Sequence, residues 1–431
     1  VDILTVAVVF ATIVAVIVVP VTKSVVAFTG LLAVAFLSPT FSITQLATAV
    51  DWNVLAVLLG TWIVVDYMLR SGLPKYIAYR ISVRIGNPYL AILVIAVVAG
   101  LISTFLANVQ VVLLFAPVAM TLGRMAGLDP LVTSMVVAVA ANYMGTALML
   151  GDLPPLLLHS VAGVEFFDFL WFRGKPSSFF LLLASFLATL AIFYRVWLRP
   201  GGEGSDGDEL SYEKPVVLKA PAVLSVVALA VLMVLAAVRS SLGLPLGAIA
   251  AVVAILTAAA LEAVRVFDKT VPGFDEILKD VEWEALAFYV ALFGLTGALE
   301  ASGFFEEVSH HIAQVVASST ALAYGLIYWI TAGLSMLVEH DALVLVLLYM
   351  VRDIARAVAV DPWPYYWGIV WSATLGSNAT IAAAPTLYLA LIMAEKEDHV
   401  RRSWRDWLRI TLPFTLTSTA IHFILSIPFV L

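Results

Sequence analysis

The chain has 431 residues, 62% hydrophobic and only 12% charged, with a mean hydropathy of +1.04; a soluble protein of this length carries roughly 25% charged residues, so the composition indicates a polytopic membrane protein. The absence of cysteine excludes disulfides, thiolate metal sites and cysteine nucleophiles. A net charge of −7, spread over loops, offers no basic surface for nucleic acid.

In chain order, apolar runs at residues 3–19, 25–41 and 53–69 come first, each close to the ~20 residues that cross a hydrocarbon core of about 30 Å as a helix. The first lacks a basic leader and a small-residue cleavage site, so it reads as a span. Asp66 lies inside the third. Residues 70–84 carry Arg70, Lys75, Arg80 and Arg84 with no acid, which predicts a cytoplasmic loop. A run at 89–106 leads into "STFLANVQVVLLFAPVAMTLGRMAGLDP" (103–130), read as a re-entrant hairpin over about 103–124 with Ala107-Asn108 at its tip. The next run, 131–150, passes through "AANYMGTALMLGDLPP" (140–155). Gly lowers helix stability and Pro removes a backbone donor, so a broken helix is expected over about 131–162. A run at 178–198 closes the first half, 1–198. Residues 199–216 hold the only long polar, Gly-rich stretch, a flexible linker.

The second half, 217–431, has runs at 219–238, 244–264, 283–299, 321–338, 365–394 and 408–430, and it repeats the first. "DWNVLAVLLGTWIVVDYMLRSG" (51–72) aligns without gaps on "EWEALAFYVALFGLTGALEASG" (282–303), placing Trp52 on Trp283 and Ser71-Gly72 on Ser302-Gly303. "SMLVEHDALVLVLLYMVRDIARAVAVDP" (335–362) aligns on 103–130, with Arg356 on Arg124 and a shared closing Asp-Pro. It predicts a second hairpin over about 335–356, tipped by Glu339-His340. "ATLGSNATIAAAP" (373–385) predicts a second broken helix over about 365–394. The expected fold class is all-α and polytopic: two repeats, each with a re-entrant hairpin and a broken transmembrane helix, and about 11–12 transmembrane segments. Internal repeats of this size characterise secondary transporters. A plain count of twelve crossings sets the repeats parallel; an inverted pair requires that one run is not a full crossing.

Glu339, His340 and Asp341 stand in a row inside this apolar sequence. One charged side chain at a membrane helix centre costs roughly 2.5–3.5 kcal/mol on insertion scales, so three require a hydrated tip or each other as partners. A carboxylate–imidazole–carboxylate cluster holds and releases a proton near neutral pH. These three are therefore candidates for ion or proton coupling. Asp152, at the end of the first break, is either a further coupling ligand or the N-cap of the next helix. Asn108, Asn142, Thr146, Ser377, Asn378 and Thr380 are candidate substrate ligands, because broken helices aim dipole ends and free backbone groups at the membrane midplane. The competing reading is that such small polar residues only let helices pack closely. Glu306, Glu307, His310 and His311 have i,i+3 and i,i+4 spacings suited to a metal, but they follow Gly303 as the basic amphipathic stretch follows Gly72, so an interfacial helix is expected. No catalytic residue, metal site or cofactor is assigned; the coupling ion is H+ or Na+.

"STFLANVQVVLLFAPVAM", "ANYMGTALMLGDLPPLLL" with "FFDFL", and "LGSNATIAAAPTLYLALIMAEK" resemble the arsenite permease and sodium–proton antiporter branch of the ion transporter superfamily. The resemblance implies inverted repeats whose hairpin tips and broken helices enclose a central site, alternating access, and a homodimer with a moving transport domain. Ala107 stands where that branch places an acid, and Leu153-Pro154-Pro155-Leu156 follows Asp152 without the usual Pro-Asn.

The function expected is a secondary active transporter in a prokaryotic inner membrane, proton- or sodium-coupled, exchanging or exporting a small inorganic ion or metalloid such as sodium or arsenite. The alternatives are a sodium-coupled di- or tricarboxylate carrier, a channel and a membrane metalloenzyme.

Overall fold

A computed structural model describes residues 1–19, 21–197, 214–308 and 319–430. Most of the expected linker, together with His310 and His311, lies outside the described residues. The first repeat supplies α1 (Ile3–Val18), α2 (Lys23–Leu37), α3 (Ile43–Ala49), α4 (Trp52–Arg70), α5 (Leu73–Arg84), α6 (Pro88–Ser103), α7 (Asn108–Met125), α8 (Pro130–Gly145), α9 (Leu153–Ala162) and α10 (Ser178–Trp197). The second supplies α11 (Lys219–Leu242), α12 (Leu246–Phe267), α13 (Phe274–Asp280), α14 (Trp283–Ala301), α15 (Thr320–Ser335), α16 (His340–Val358), α17 (Trp363–Ser377), α18 (Pro385–Asp398) and α19 (Trp404–Val430). Among the described residues, seven of these helices are long and apolar enough to cross a membrane: α4, α7, α10, α11, α12, α14 and α19.

Helix starts are written into the chain. Asp51 accepts from the amides of Asn53 and Val54 to cap α4, and Asn87-Pro88 and Asp129-Pro130 open α6 and α8. Helices stop where the sequence breaks. α8 ends at Gly145 and α9 starts at Leu153; α17 ends at Ser377 and α18 starts at Pro385.

The repeats are inverted. Arg70, at the C-terminal end of α4, bonds Asp280 and Glu276 of α13, just ahead of the start of α14. The two equivalent helices therefore run in opposite directions. The serine hydroxyl of each Ser-Gly pair caps its helix end, donating to the Met68 or Leu299 carbonyl and accepting from the Leu73 or Phe304 amide; at the same turns the Leu218 amide donates to the Ser71 carbonyl at 2.8 Å and the Asp2 amide to the Ser302 carbonyl at 2.9 Å. Each repeat's first helix is thus tied to the other repeat. Gly72 and Gly303 turn the chain there at φ +77° and +78°, a region that disfavours side chains.

Two groups of helices result. In the scaffold, α4 packs on α11 and α12 of the other half, and α14 packs on α1, α2 and α3. Gly60 lets α4 approach the α12 backbone, since a Cβ there would meet the Ala250 carbonyl at 2.7 Å. In the core group, α6 to α10 join α15 to α19, with α8 and α17 almost wholly buried.

The helical hairpins have different limits from those the sequence suggested. Residues 108–125 form one continuous helix, and the antiparallel arm is α6, which the apolar run at 89–106 presented as a separate crossing. Tyr89 at the start of α6 donates to the Ala126 carbonyl just past α7, closing the base of the hairpin. The second hairpin is α15 with α16, again one helix before the tip and one after it. An apolar arm and an apolar span look alike in composition; only the polar tips separated them.

Candidate functional site

Four helix N-termini converge on one cavity of about 140 Å³: Asn108 of α7, Leu153 of α9, His340 of α16 and Pro385 of α18 all line it. The scaffold closes the remaining sides through Val57, Leu58, Thr61 and Trp62 of α4 and through Glu282, Ala285 and Tyr289 at the start of α14. Each helix start brings roughly half a positive charge from its free amides. Asp152, Glu282, Glu339 and Asp341 supply the opposing carboxylates.

The first hairpin tip and the first break are bonded together. Asn108 accepts from the Ser103 hydroxyl at 2.7 Å and donates to Asp152 at 2.8 Å. Asp152 also caps α9 through the Leu153 amide at 2.9 Å, as the N-cap reading of this residue expects. From the second hairpin, the His340 Nε2 lies 3.6 Å from Asp152 and 3.5 Å from Asp341, while Tyr289 donates to the other Asp341 oxygen at 3.1 Å. Both ring nitrogens of His340 and one Asp341 oxygen are buried without a hydrogen-bond partner among the described residues. Orphaned polar atoms at such depth are costly unless something fills the gap between them. One ligand atom from each of Asp152, His340 and Asp341 falls within 4.8 Å of the others, a spacing that suits a cation.

Glu339 has a partner of its own, the Lys23 ammonium of α2 at 2.6 Å. Glu282 lies just outside the α14 span. Burial, and then the Asp152 carboxylate, raise its pKa above the ordinary glutamate value.

The six candidate substrate ligands divide into two groups. Asn108 and Asn142 line the cavity. Thr146, Ser377, Asn378 and Thr380 do not; they knit the core together. Asn142 donates to Ser377 at 3.0 Å and to Asn378 at 3.1 Å, and the hydroxyls of Thr146 and Thr374 meet at 2.7 Å, joining the two breaks. Thr380 donates to the Met336 carbonyl at the second tip. Glu282, Tyr289 and Thr386 also line the cavity, and sequence reasoning passed over them. Glu282 had a signal: it occupies the repeat position of the helix-capping Asp51.

A family model described as citrate transporter (CitMHS) matches residues 10–396. An uncharacterised transporter of Mycobacterium tuberculosis is 26% identical over 359 residues, covering 83% of this chain and 81% of that one. The mouse P protein is 24% identical over 471 residues, covering 92% of this chain and 56% of its own. The solved structure of the YdaH transporter of Alcanivorax borkumensis superimposes with a TM-score of 0.59 at 14% identity, over 90% of this chain and 88% of that one, so the two share a fold.

Proposed function

The chain belongs to the citrate transporter family, and from that premise we propose that it is a secondary active transporter of a small ion, working by alternating access. The observation that supports this most is the meeting of Asp152 from one repeat with His340 and Asp341 from the other, in a cavity ringed by helix N-termini.

The charge pattern favours one added positive charge. Lys23 neutralises Glu339, Asp152 and Asp341 flank His340, and Glu282 stands at the cavity wall as a third carboxyl group. A proton on the imidazole sets a positive charge beside both carboxylates; a sodium-sized cation between the three groups does the same. The two occupants exclude one another, which is the requirement for proton–cation exchange. Binding energy that differs between two states of the carrier links their fluxes. The cavity reaches Glu282, on the face that carries Arg70 and the basic stretch 70–84. The basic stretch supports reading this face as cytoplasmic. A prokaryotic inner membrane and a homodimer complete the proposal.

A second reading follows from the family name: a di- or tricarboxylate carrier. Thr386 favours it, because the residue lies at the start of α18 and lines the cavity, and its hydroxyl has no hydrogen-bond partner among the described residues. A carboxylate there needs a cation bound beside it to offset Asp152 and Asp341.

Reconstituted protein separates these readings. With a pH gradient imposed across proteoliposomes, radiolabelled sodium and radiolabelled citrate are followed in turn. Proton-driven sodium movement supports exchange; citrate uptake that requires a cation supports the carboxylate reading. If the pair Glu339→Gln and Asp341→Asn leaves pH-driven flux of both probes unchanged, the coupling role assigned to this cluster is wrong.

A further inference from the structure

A second ionisable group is buried between the scaffold and the first hairpin, outside the cavity walls. Asp66, on α4, is 4% exposed, and Gln110, two residues after the tip residue Asn108, is 7% exposed. The Gln110 Nε2 donates to one Asp66 oxygen at 2.9 Å. The other Asp66 oxygen and the Gln110 carbonyl oxygen are both buried with no partner among the described residues. Two acceptors thus lie at one contact with a single donor group between them.

Among the described residues, Arg70 is the one cation that acts on Asp66. The charged groups that act on it are Asp280 at the end of α13, Glu282 at the start of α14 and Arg70 on its own helix. Arg70 is already committed to Asp280 and Glu276. On α12, Glu262 and Arg265 act on the neighbouring Tyr67.

From this geometry we infer that Asp66 is a second proton-carrying site, which binds or releases its proton as the first hairpin moves against α4. An ionised Asp66 accepts from the Gln110 amide and holds the hairpin to the scaffold. A protonated Asp66 carries its own donor, and with the amide turned over its O–H donates to the Gln110 carbonyl oxygen. The orientation of an amide is assigned from its hydrogen-bond network, and this network accepts either one once the proton is present. The protonation state of one carboxyl thereby decides the sense of the single polar bond described between α4 and α7. The repeat-related positions are Gly297 and Ala342, so the second hairpin has no such bond. The device acts on one side of the cycle only. Trp62, one turn before Asp66, lines the central cavity, which puts the site beside the route to the face carrying Arg70.

This inference rests on the proton-coupled reading above, and its test is built to fail separately. Asp66→Asn keeps the shape and a hydrogen bond to Gln110 but holds no proton. In proteoliposomes loaded with sodium or citrate, whichever probe the wild type carries, exchange of labelled for unlabelled probe should stay within about twofold of wild type. Uptake driven by a pH gradient should fall at least tenfold. Equal pH-driven uptake in variant and wild type overturns the inference and leaves the Asp152–His340–Asp341 reading standing. Loss of exchange together with uptake also overturns it, since Asp66 would then serve only to position the hairpin. A measurement on the wild type needs no flux: infrared difference spectra recorded across pH should show a protonated carboxyl band that titrates and is missing from Asp66→Asn. Its absence from the wild-type spectra refutes the proton site whatever the probe experiments give.

Discussion

Asp129 and Arg402 belong to opposite repeats, yet the Arg402 guanidinium donates from both terminal nitrogens to both Asp129 oxygens, at 2.9 Å each. The inversion produces a counterpart: Arg173 donates to Asp361 at 2.5 Å. The two Asp-Pro pairs that close the aligned blocks are therefore the acidic halves of reciprocal clamps between the repeats. The clamps differ in burial, with side-chain exposures of 14% for Arg402 and 56% for Arg173. Arg402 also pairs with Asp398.

Arg402→Ala should therefore lower the thermal stability of the detergent-solubilised protein clearly, by about 1–3 kcal/mol, as befits loss of a charge-assisted, partly buried pair. Arg173→Ala should cost less than about 1 kcal/mol, in the range of exposed ion pairs. Equal losses measured by intrinsic-fluorescence melting would show that burial is not what distinguishes the two clamps.

Gly72 and Gly303 provide a comparison with backbone conformation held constant. Both sit near φ +78°, where an alanine costs about 1–2 kcal/mol. A Cβ on Gly72 would also meet the Val216 carbonyl at 2.4 Å, whereas one on Gly303 meets nothing within 4 Å among the described residues. Gly72→Ala should thus lower the melting temperature more than Gly303→Ala. The difference reads the close approach of the Val216 carbonyl to the end of α4.

Glu282 predicts a pH dependence. Its pKa in the folded protein is raised by burial and by Asp152, so the folded state binds this proton more tightly than the unfolded chain does. The stabilisation is full below the unfolded value, about 4.3, and is lost as pH rises through the higher folded value. Glu282→Gln should flatten the decline in melting temperature on going from pH 5 to pH 8. An unchanged slope in the variant would place the titrating group elsewhere.

The duplication, the two breaks and both tips were legible because each left a mark in residue type: Gly and Pro at the breaks, Asn108 and Glu339-His340-Asp341 at the tips. Asp152 was legible for the same reason, as an acid next to Pro154-Pro155. The arms of the hairpins were not, since α6 is as apolar as any span and nothing in its composition states that it turns back. Nor was the division among the polar ligands. Asn142 and Ser377 are both neutral hydrogen-bonding residues in a broken stretch, and only the packing of one break on the other puts Asn142 at the cavity wall and turns Ser377 inward. Lys23 lies 316 residues from Glu339 and belongs to a different helix group, a distance over which no local pattern speaks.

The exchange of partners between halves has a consequence for synthesis. α4 finds its main neighbours in α11 and α12, and α14 finds its own in α1, α2 and α3. While the ribosome is still making the first two hundred or so residues, α4 waits in the translocon or in lipid with its binding face bare, and the opening helices wait longer still. Each half alone leaves a main packing face of α4 or α14 uncovered. Assembly is a late event that requires both, and severed halves should recover their shape only when produced in the same cell.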